Sequence, residues 1–375
     1  MREGWHEATL KDLCVVDWGN TNLTKAAYVE GGEFLAVSAA GCDGRIGHKE
    51  HSKHTPVLSA IGAQCGKMFF PDEDFTAIKN TITLTPREGK CEGKFLYYLF
   101  TFVNLPQRGA GQPFISKGDI QSFSVTYPLI PEQQRIVALL DEAFDGIATA
   151  KANAEQNLKN ARELFKSHLQ AVFTQRGEGW VDKTLGDVCD FKGGGTPSKA
   201  IERYWQGDIP WVSPKDMKFE VVSDSIDHIS KEAIQNSATS LIPEGAVLIV
   251  VRSGILARIV PVALAGRELT INQDLKALCP KSMIEPRFLY CLLESMMPML
   301  LSMVTRGATV HRLMTDQIRS LVFPLPPRAT QHSIIEKVDL MREETQHLET
   351  IYQQKLAALD ELKKSLLHKA FSGEL

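Results

Sequence analysis

Two kinds of hydrophobic pattern alternate along this chain, and each occurs twice. Short apolar runs rich in β-branched residues, bounded by turn formers, predict strands at VLSAIG (57–62), TITLTP (81–86) and SFSVTYP (122–128). The same kind of run returns at AVLIVV (246–251), DLKALCP (274–280) and SLVFPLPP (320–327), and helical stretches intervene at 93–104 and 286–304. Both halves then change character at a proline. Pro131 and Pro327 stand where a helix begins, a position at which the missing N–H costs nothing. Beyond them apolar residues recur at alternating steps of four and three: Leu140, Phe144, Ile147, Ala154, Leu158, Ala161, Phe165 and Val172, with Lys151 and His168 interrupting. The second series is Val338, Met341, Thr345, Leu348, Tyr352, Leu359, Leu362 and Leu366. That spacing predicts two long helices, each with a coiled-coil seam. At 1.5 Å per residue, 42 residues reach about 63 Å. A helix this long with one apolar stripe needs a partner, and each helix is the obvious partner of the other, packed antiparallel.

The alternation reflects a duplication. WHEATLKDLC (5–14) returns as WVDKTLGDVC (180–189) with Trp, Thr, Leu, Asp and Cys unchanged, and the same offset pairs Gly32, Val37 and Ser38 with Gly207, Val212 and Ser213. FLYYL (95–99) matches FLYCL (288–292), each after an extended apolar stretch that carries an Asn. From Gln133 onward the copies run at a constant offset of 198, with 11 identities between 133–174 and 331–372. Chance likeness at coiled-coil periodicity would account for the helix matches but not for the Trp-Thr-Leu-Asp-Cys or FLYxL repeats. The expected fold is α+β: two mixed α/β domains (1–130 and 177–327) separated by two long antiparallel helices (131–176 and 328–375), with the repeats related by a pseudo-twofold. Such a molecule suits two half-sites on a DNA duplex, with spacing set by the helices and half-sites that differ because the domain middles have diverged.

Composition narrows the class. A hydrophobic share of 43% with 23% charged residues fits globular domains with real cores. No apolar run reaches the ~18 residues of a membrane span, and MREGWHEATL lacks a signal-peptide pattern, so a cytoplasmic location and no membrane partner are expected. The seven cysteines include no CxxC pair, which disfavours zinc ribbons and disulfide frameworks. Cys14 and Cys189 are expected in the core. A net charge of −3 means that any grip on nucleic acid is local or shared with a partner.

No catalytic constellation emerges. GGGTPSK (193–199) is not a phosphate loop, because GxxxxGK followed by Ser or Thr is missing, and no Asn-Pro-Pro-Tyr segment marks an adenine methyltransferase. Asp72 with Glu88 and Lys90 mimics a metal-dependent nuclease pattern, but Glu88 falls in a polar turn; cleavage by the purified chain is the test of that alternative. A coiled-coil scaffold without DNA affinity is the other. His48, His51 and His54 are spaced three apart among basic residues and read as a basic loop, not a metal site. The DNA-reading candidates lie in loops. Arg45, Lys49 and Lys53 form a local positive patch, Gln112 is able to pair bidentately with adenine, and Lys117 suits a phosphate. Their counterparts in the second domain are Arg252, Arg258, Arg306, His311 and Arg312. On the helices, apolar residues off the seams (Leu164, Leu169, Leu356, Leu367, with Leu139 and Leu340) exceed what one seam requires. Together with the polar positions Gln133, Asp141, Gln331 and Asp339 they are candidate docking positions for another subunit.

WxxxTLxDxC…GGGTPS (180–198), GDIPWVSPKDM (207–217), PLPPxxxQ (324–331) and KKSLLHKAFSGEL (363–375) resemble the specificity (HsdS) subunits of type I restriction–modification systems over the full length. The first domain departs from the wording, with WGNTNLTKA and EFLAVSA in place of GGGTPS and DIPW. The resemblance implies two target-recognition domains alternating with two spacer helices, and a bipartite asymmetric site on double-stranded DNA. It implies docking of two adenine-N6 methyltransferase subunits and of motor–nuclease subunits. It also implies that S-adenosylmethionine, ATP and magnesium belong to those partners, with no cofactor in this chain.

Overall fold

The computed structural model describes residues 4–375. It divides into two compact units, Met1–Gln156 with Tyr352–Leu375, and Asn157–Ile351, so the division cuts both long helices. Those helices are Ile130–Thr174 and Arg328–Ser372.

In the first unit a ribbon pairs Trp5–Thr9 with Ser124–Pro128, closing the domain at the foot of the long helix. A four-stranded sheet runs Cys14–Trp18, Thr81–Pro86, Val57–Ser59, Met68–Phe69. A three-stranded sheet runs Gly41–Ile46, Phe34–Ser38, Phe75–Ala77, the last pair parallel. The second unit repeats this plan. Val181–Thr184 pairs with Val322–Leu325. A five-stranded sheet runs Cys189–Gly193, Leu275–Pro280, Val247–Val250, Val262–Ala265, Val221–Val222, and a three-stranded one Asp227–Ile229, Ile209–Val212, Thr270–Ile271. It adds a short ribbon, Arg252–Ser253 against His311–Arg312.

The repeated residues hold equivalent posts. Thr9 and Thr184 cap one-turn helices as capping boxes with Asp12 and Asp187, satisfying N–H groups that a helix start leaves free. Leu10 and Leu185 are fully buried behind them. Burial pushes the thiols of Cys14 and Cys189 up to about 12, so both are inert core residues. In FLYYL and FLYCL, Phe95 and Phe288 anchor the two cores. Gly32 and Gly207 repeat because a Cβ would sit 2.8 Å from Ile46 N in one copy and 2.1 Å from Ile229 O in the other. Gly207→Ala is therefore expected to destabilise the second unit by about 2–3 kcal/mol. Urea titration of the full chain checks this, and there Gly47→Ala, where a Cβ meets nothing within 4 Å, should stay within about 0.5 kcal/mol of the parent.

Each long helix is gripped near its start by its own domain. Asp141 accepts from Lys94 Nζ (2.7 Å) and from the Tyr98 hydroxyl. Burial, and then this bond, push Tyr98 well above its usual range, keeping the hydroxyl a donor. In the second unit Asp339 accepts from Arg287. The helices run antiparallel within each unit. Arg135 donates to the Leu375 carbonyl and Lys151 meets Asp360 at 2.8 Å in the first; Arg162 meets Glu349 at 2.9 Å and Arg342 lies over Phe165 in the second.

The seams differ from a strict heptad. Leu169 and Leu367 are buried (3% and 7% exposed), whereas His168 is exposed and Leu366 only half-buried. The reason is drift: a straight helix falls about 20° behind per heptad, so after four heptads the buried stripe has moved by nearly one residue. Leu348 and Leu362, expected in the seam, are exposed.

Candidate nucleic-acid interface

Both domains carry the same exposed hairpin. In the first, Arg108 and Phe114 exchange backbone bonds of 2.9 Å, and the Ile115 N–H donates to the Ala60 carbonyl just beyond the strand Val57–Ser59. In the second, Thr305 and Arg312 exchange bonds of 2.8 and 3.0 Å, and the Leu313 N–H donates to the Val251 carbonyl beyond Val247–Val250. The sequence Arg-Gly-Ala opens each turn, at 108–110 and 306–308, again at an offset of 198. Only glycine fits its middle position. A Cβ on Gly109 would lie 2.4 Å from Gln112 O, and on Gly307 2.3 Å from Val310 O. Arg108 is the residue that sequence reasoning missed here, and the repeated Arg-Gly-Ala was the signal for it.

In the second domain the five predicted residues come together. Arg252 stands directly across the short ribbon from Arg312, and Ser253 from His311. Arg306 occupies the exposed turn. The 3-10 turn Gly254–Ala257, which ends at Arg258, abuts that turn: a Cβ on Gly254 would lie 3.4 Å from Thr309 O. Arg252 is paired with Asp274 (2.7 Å). Arg258, Arg306 and Arg312 have no acidic partner among the described residues. His311 Nδ1 is buried without a hydrogen-bond partner. The result is a cationic ribbon, with Val310 and Ile255 exposed beside it.

The first domain is arranged differently. Arg45 forks onto Glu73 (2.6 and 3.1 Å), and Lys49 holds Asp74, which that bond draws below the usual carboxylate range. Lys117 is bound to Asp17 at 2.7 Å, and Arg108 to Asp119. Only Lys53, exposed and touching Asp74 through its backbone N–H, and Gln112 at the hairpin tip keep free side-chain ends. The histidine loop is not uniformly solvated. His51 packs on Phe75, where burial lowers its affinity for a proton, and His54 stacks on Phe70. Asp72 and Glu88–Lys90 lie in two different turns, and among the described residues no group of three His, Cys, Asp or Glu side chains is placed to hold a metal.

Four of the expected docking residues are corrected by burial. Gln133 and Gln331 are wholly inside their units, each with its amide shared among three backbone groups, and Leu169 and Leu367 belong to the cores. None of the four presents a side chain to another subunit. Asp141 and Asp339 are half-buried and occupied by Lys94 and Arg287. Leu164 is 68% exposed, Leu356 half-buried, and Leu139, Leu340, Leu348 and Leu362 are exposed as well. No helix among the described residues is long and apolar enough to cross a membrane.

Comparison with known proteins places this arrangement. The profile of the type I restriction modification DNA specificity domain matches residues 2–160 and 177–356. The chain is 32% identical over 281 residues to the type I restriction enzyme EcoR124I/EcoR124II specificity subunit of Escherichia coli, covering 72% of this chain and 68% of that one. It is 31% identical over 159 residues to the MjaIX specificity subunit of Methanocaldococcus jannaschii, covering 41% of this chain and 36% of that one. Among solved structures, a chain of a type I R-M system described for its complex assembly and conformational transition shares the fold. Its TM-score is 0.79 at 20% identity, with 100% of this chain and 99% of that one covered. The HsdS subunit from Thermoanaerobacter tengcongensis matches at a TM-score of 0.62 and 20% identity, covering 100% and 98%.

Proposed function

Because this chain belongs to the family of type I restriction–modification specificity subunits, we propose that it reads a bipartite, asymmetric site on double-stranded DNA, one half with each domain. It is the non-catalytic member of its system; methylation and cleavage are the work of other subunits. The observation that carries the reading is the duplicated hairpin, closed in each domain by a reciprocal pair of backbone bonds (Arg108 with Phe114, and Thr305 with Arg312 around a loop one residue longer) but carrying different side chains. One scaffold with two sets of side chains fits two half-sites of different sequence. In the second domain Arg252, Arg258, Arg306, His311 and Arg312 face the DNA; in the first, Gln112 and Lys53 do, with Arg45, Lys49 and Lys117 framing their loops.

The partners follow the duplication. Exposed Leu139, Leu164, Leu340 and Leu362 on the long helices offer apolar surface to two copies of a methyltransferase subunit, with motor–nuclease subunits joining for cleavage. S-adenosylmethionine, ATP and magnesium would then be bound by those partners, and the complex would act in the cytoplasm.

Methylome sequencing of a host expressing the chain with its methyltransferase partner tests the reading. A split motif with methyladenine in both halves is expected, and one continuous motif would overturn it. Equal insertions in both long helices should change the unread interval and leave the half-sites intact. Altered half-sites would show that the helices do not set the spacing.

A further inference from the structure

The candidate DNA-reading arginines and lysines of the two domains stand mostly in opposite electrostatic states, Lys53 being the unpaired exception in the first. In the first, Arg45, Lys49, Arg108 and Lys117 each hold a carboxylate of their own domain: Glu73, Asp74, Asp119 and Asp17. In the second, three arginines around one hairpin hold none, and only Asp274 offsets the group through Arg252. Arg252 and Arg312 are also direct cross-strand neighbours. Like charges opposite each other on a ribbon are destabilising, and Asp274 relieves this only on the Arg252 side, leaving Arg312 uncompensated. A polyanion laid across the ribbon would remove that repulsion, and the buried, unpartnered Nδ1 of His311 marks a polar group beside it that is also unsatisfied.

We infer that the cationic ribbon of the second domain is the phosphate anchor of this subunit, holding DNA before sequence is read, while the first domain contributes little ionic attraction. The inference rests on the DNA-reading function proposed above and adds a division of labour to it. Counterion release then comes mainly from one domain. The half-site under the second domain is held at low and moderate salt whatever its sequence. The half-site under the first depends on direct contacts such as Gln112 with a base, because its basic groups would have to leave their carboxylates to reach a phosphate. It is also compatible with an overall charge of −3, since three arginines without an acidic partner gather around one hairpin.

The test is the salt dependence of binding of the full-length chain to a fluorescently labelled 30-base-pair duplex of mixed sequence, titrated from about 50 to 200 mM KCl. Each lost phosphate contact flattens the plot of log K against log salt by about 0.9. Arg258→Gln/Arg306→Gln/Arg312→Gln should flatten it by about 2–3 and weaken binding ~10-fold or more at 100 mM salt. The charge-keeping Arg258→Lys/Arg306→Lys/Arg312→Lys should retain most of the slope, which separates lost charge from misfolding. In the first domain, Lys49→Gln/Asp74→Asn/Lys117→Gln/Asp17→Asn removes two ion pairs at constant net charge and should leave the slope within about 0.5 of the parent. A flattening of about 2 in this variant, or a triple glutamine variant that keeps the parent slope, overturns the inference while leaving the DNA-reading function intact. Absence of any salt-sensitive binding by the parent chain, alone and with methyltransferase added, overturns both.

Discussion

Replacing Gln331 with leucine is expected to destabilise the second unit by about 3–5 kcal/mol, a large share of the 5–15 kcal/mol typical of a folded domain. The side chain has no solvent exposure. Its Nε2 donates to the carbonyls of Met283 and Pro326, both at 2.9 Å, and its Oε1 accepts from the Glu285 N–H at 2.9 Å. One amide of the long helix thus satisfies the chain just past the strand Val322–Leu325, the turn at Met283 and the N-cap of the helix Pro286–Ser295. Leucine has nearly the same volume but leaves two carbonyls and one N–H without partners, at about 1–3 kcal/mol each. Gln331→Glu should be as harmful, because a carboxylate oxygen would then face two carbonyl oxygens. Gln133 does the same work in the first unit, donating to Lys90 and Pro128 and accepting from Glu92. Gln133→Leu should therefore lower the first unit by a similar amount. Hydrogen exchange of the full chain, read separately for peptides of each unit, checks both substitutions; equal protection in parent and variant would refute the assignment.

This pair also shows what a duplicated sequence reveals and what it hides. The recurrence of Gln at an offset of 198 is plain in the sequence, but identity between copies does not say whether a residue is kept for a shared partner or a shared internal bond. Only burial separates the two, and here it places the amide inside. Local periodicity was more informative. The strands at 81–86 and 275–280 and the two long helices follow from patterns that need no distant contact. The seam slipped by one residue near Leu169 and Leu367 because the heptad template assumes a supercoil that a straight helix does not supply.

Electrostatics was least legible, for a reason of distance along the chain. Arg45 and Lys49 form a basic cluster in the sequence, but their carboxylates, Glu73 and Asp74, lie 25–28 residues away and arrive through the parallel pairing of Phe34–Ser38 with Phe75–Ala77. Conversely, Arg252 and Arg312 are far apart in sequence and become neighbours only through the short ribbon. Counting charges in a segment therefore overstated one patch and could not assemble the other.

Arg342→Met should cost the second unit about 3–5 kcal/mol, because it breaks a semi-buried charge network and leaves carboxylates behind. Arg342 is 15% exposed on the long helix and forks onto Glu294, with Nη2–Oε2 at 2.6 Å and Nη1–Oε1 at 3.2 Å. Its guanidinium lies 5.0 Å from the ring centre of Phe165 and 5.8 Å from that of Tyr290. Burial opposes its charge, but the bond to Glu294 and the surrounding charges outweigh this, so its proton affinity is raised. Glu220 joins the network from the loop before Val221–Val222, at 3.5 Å from Arg342 Nε, and also binds Arg287, which in turn holds Asp339. Two guanidiniums therefore balance three carboxylates. With Arg342 removed, Arg287 alone must serve all three, and methionine refills the volume over Phe165 without supplying a charge. Arg342→Lys should recover less than half of the loss, since an ammonium cannot fork onto Glu294 as the guanidinium does. Arg342→Met/Glu294→Leu, which removes the stranded carboxylate as well, should recover more than the lysine variant does. In urea unfolding of the full chain followed by exchange in 286–302 and 328–351, a lysine variant as stable as the parent would mean that charge alone is required. A double variant weaker than the single one would mean that packing of Glu294, not its stranded charge, sets the cost.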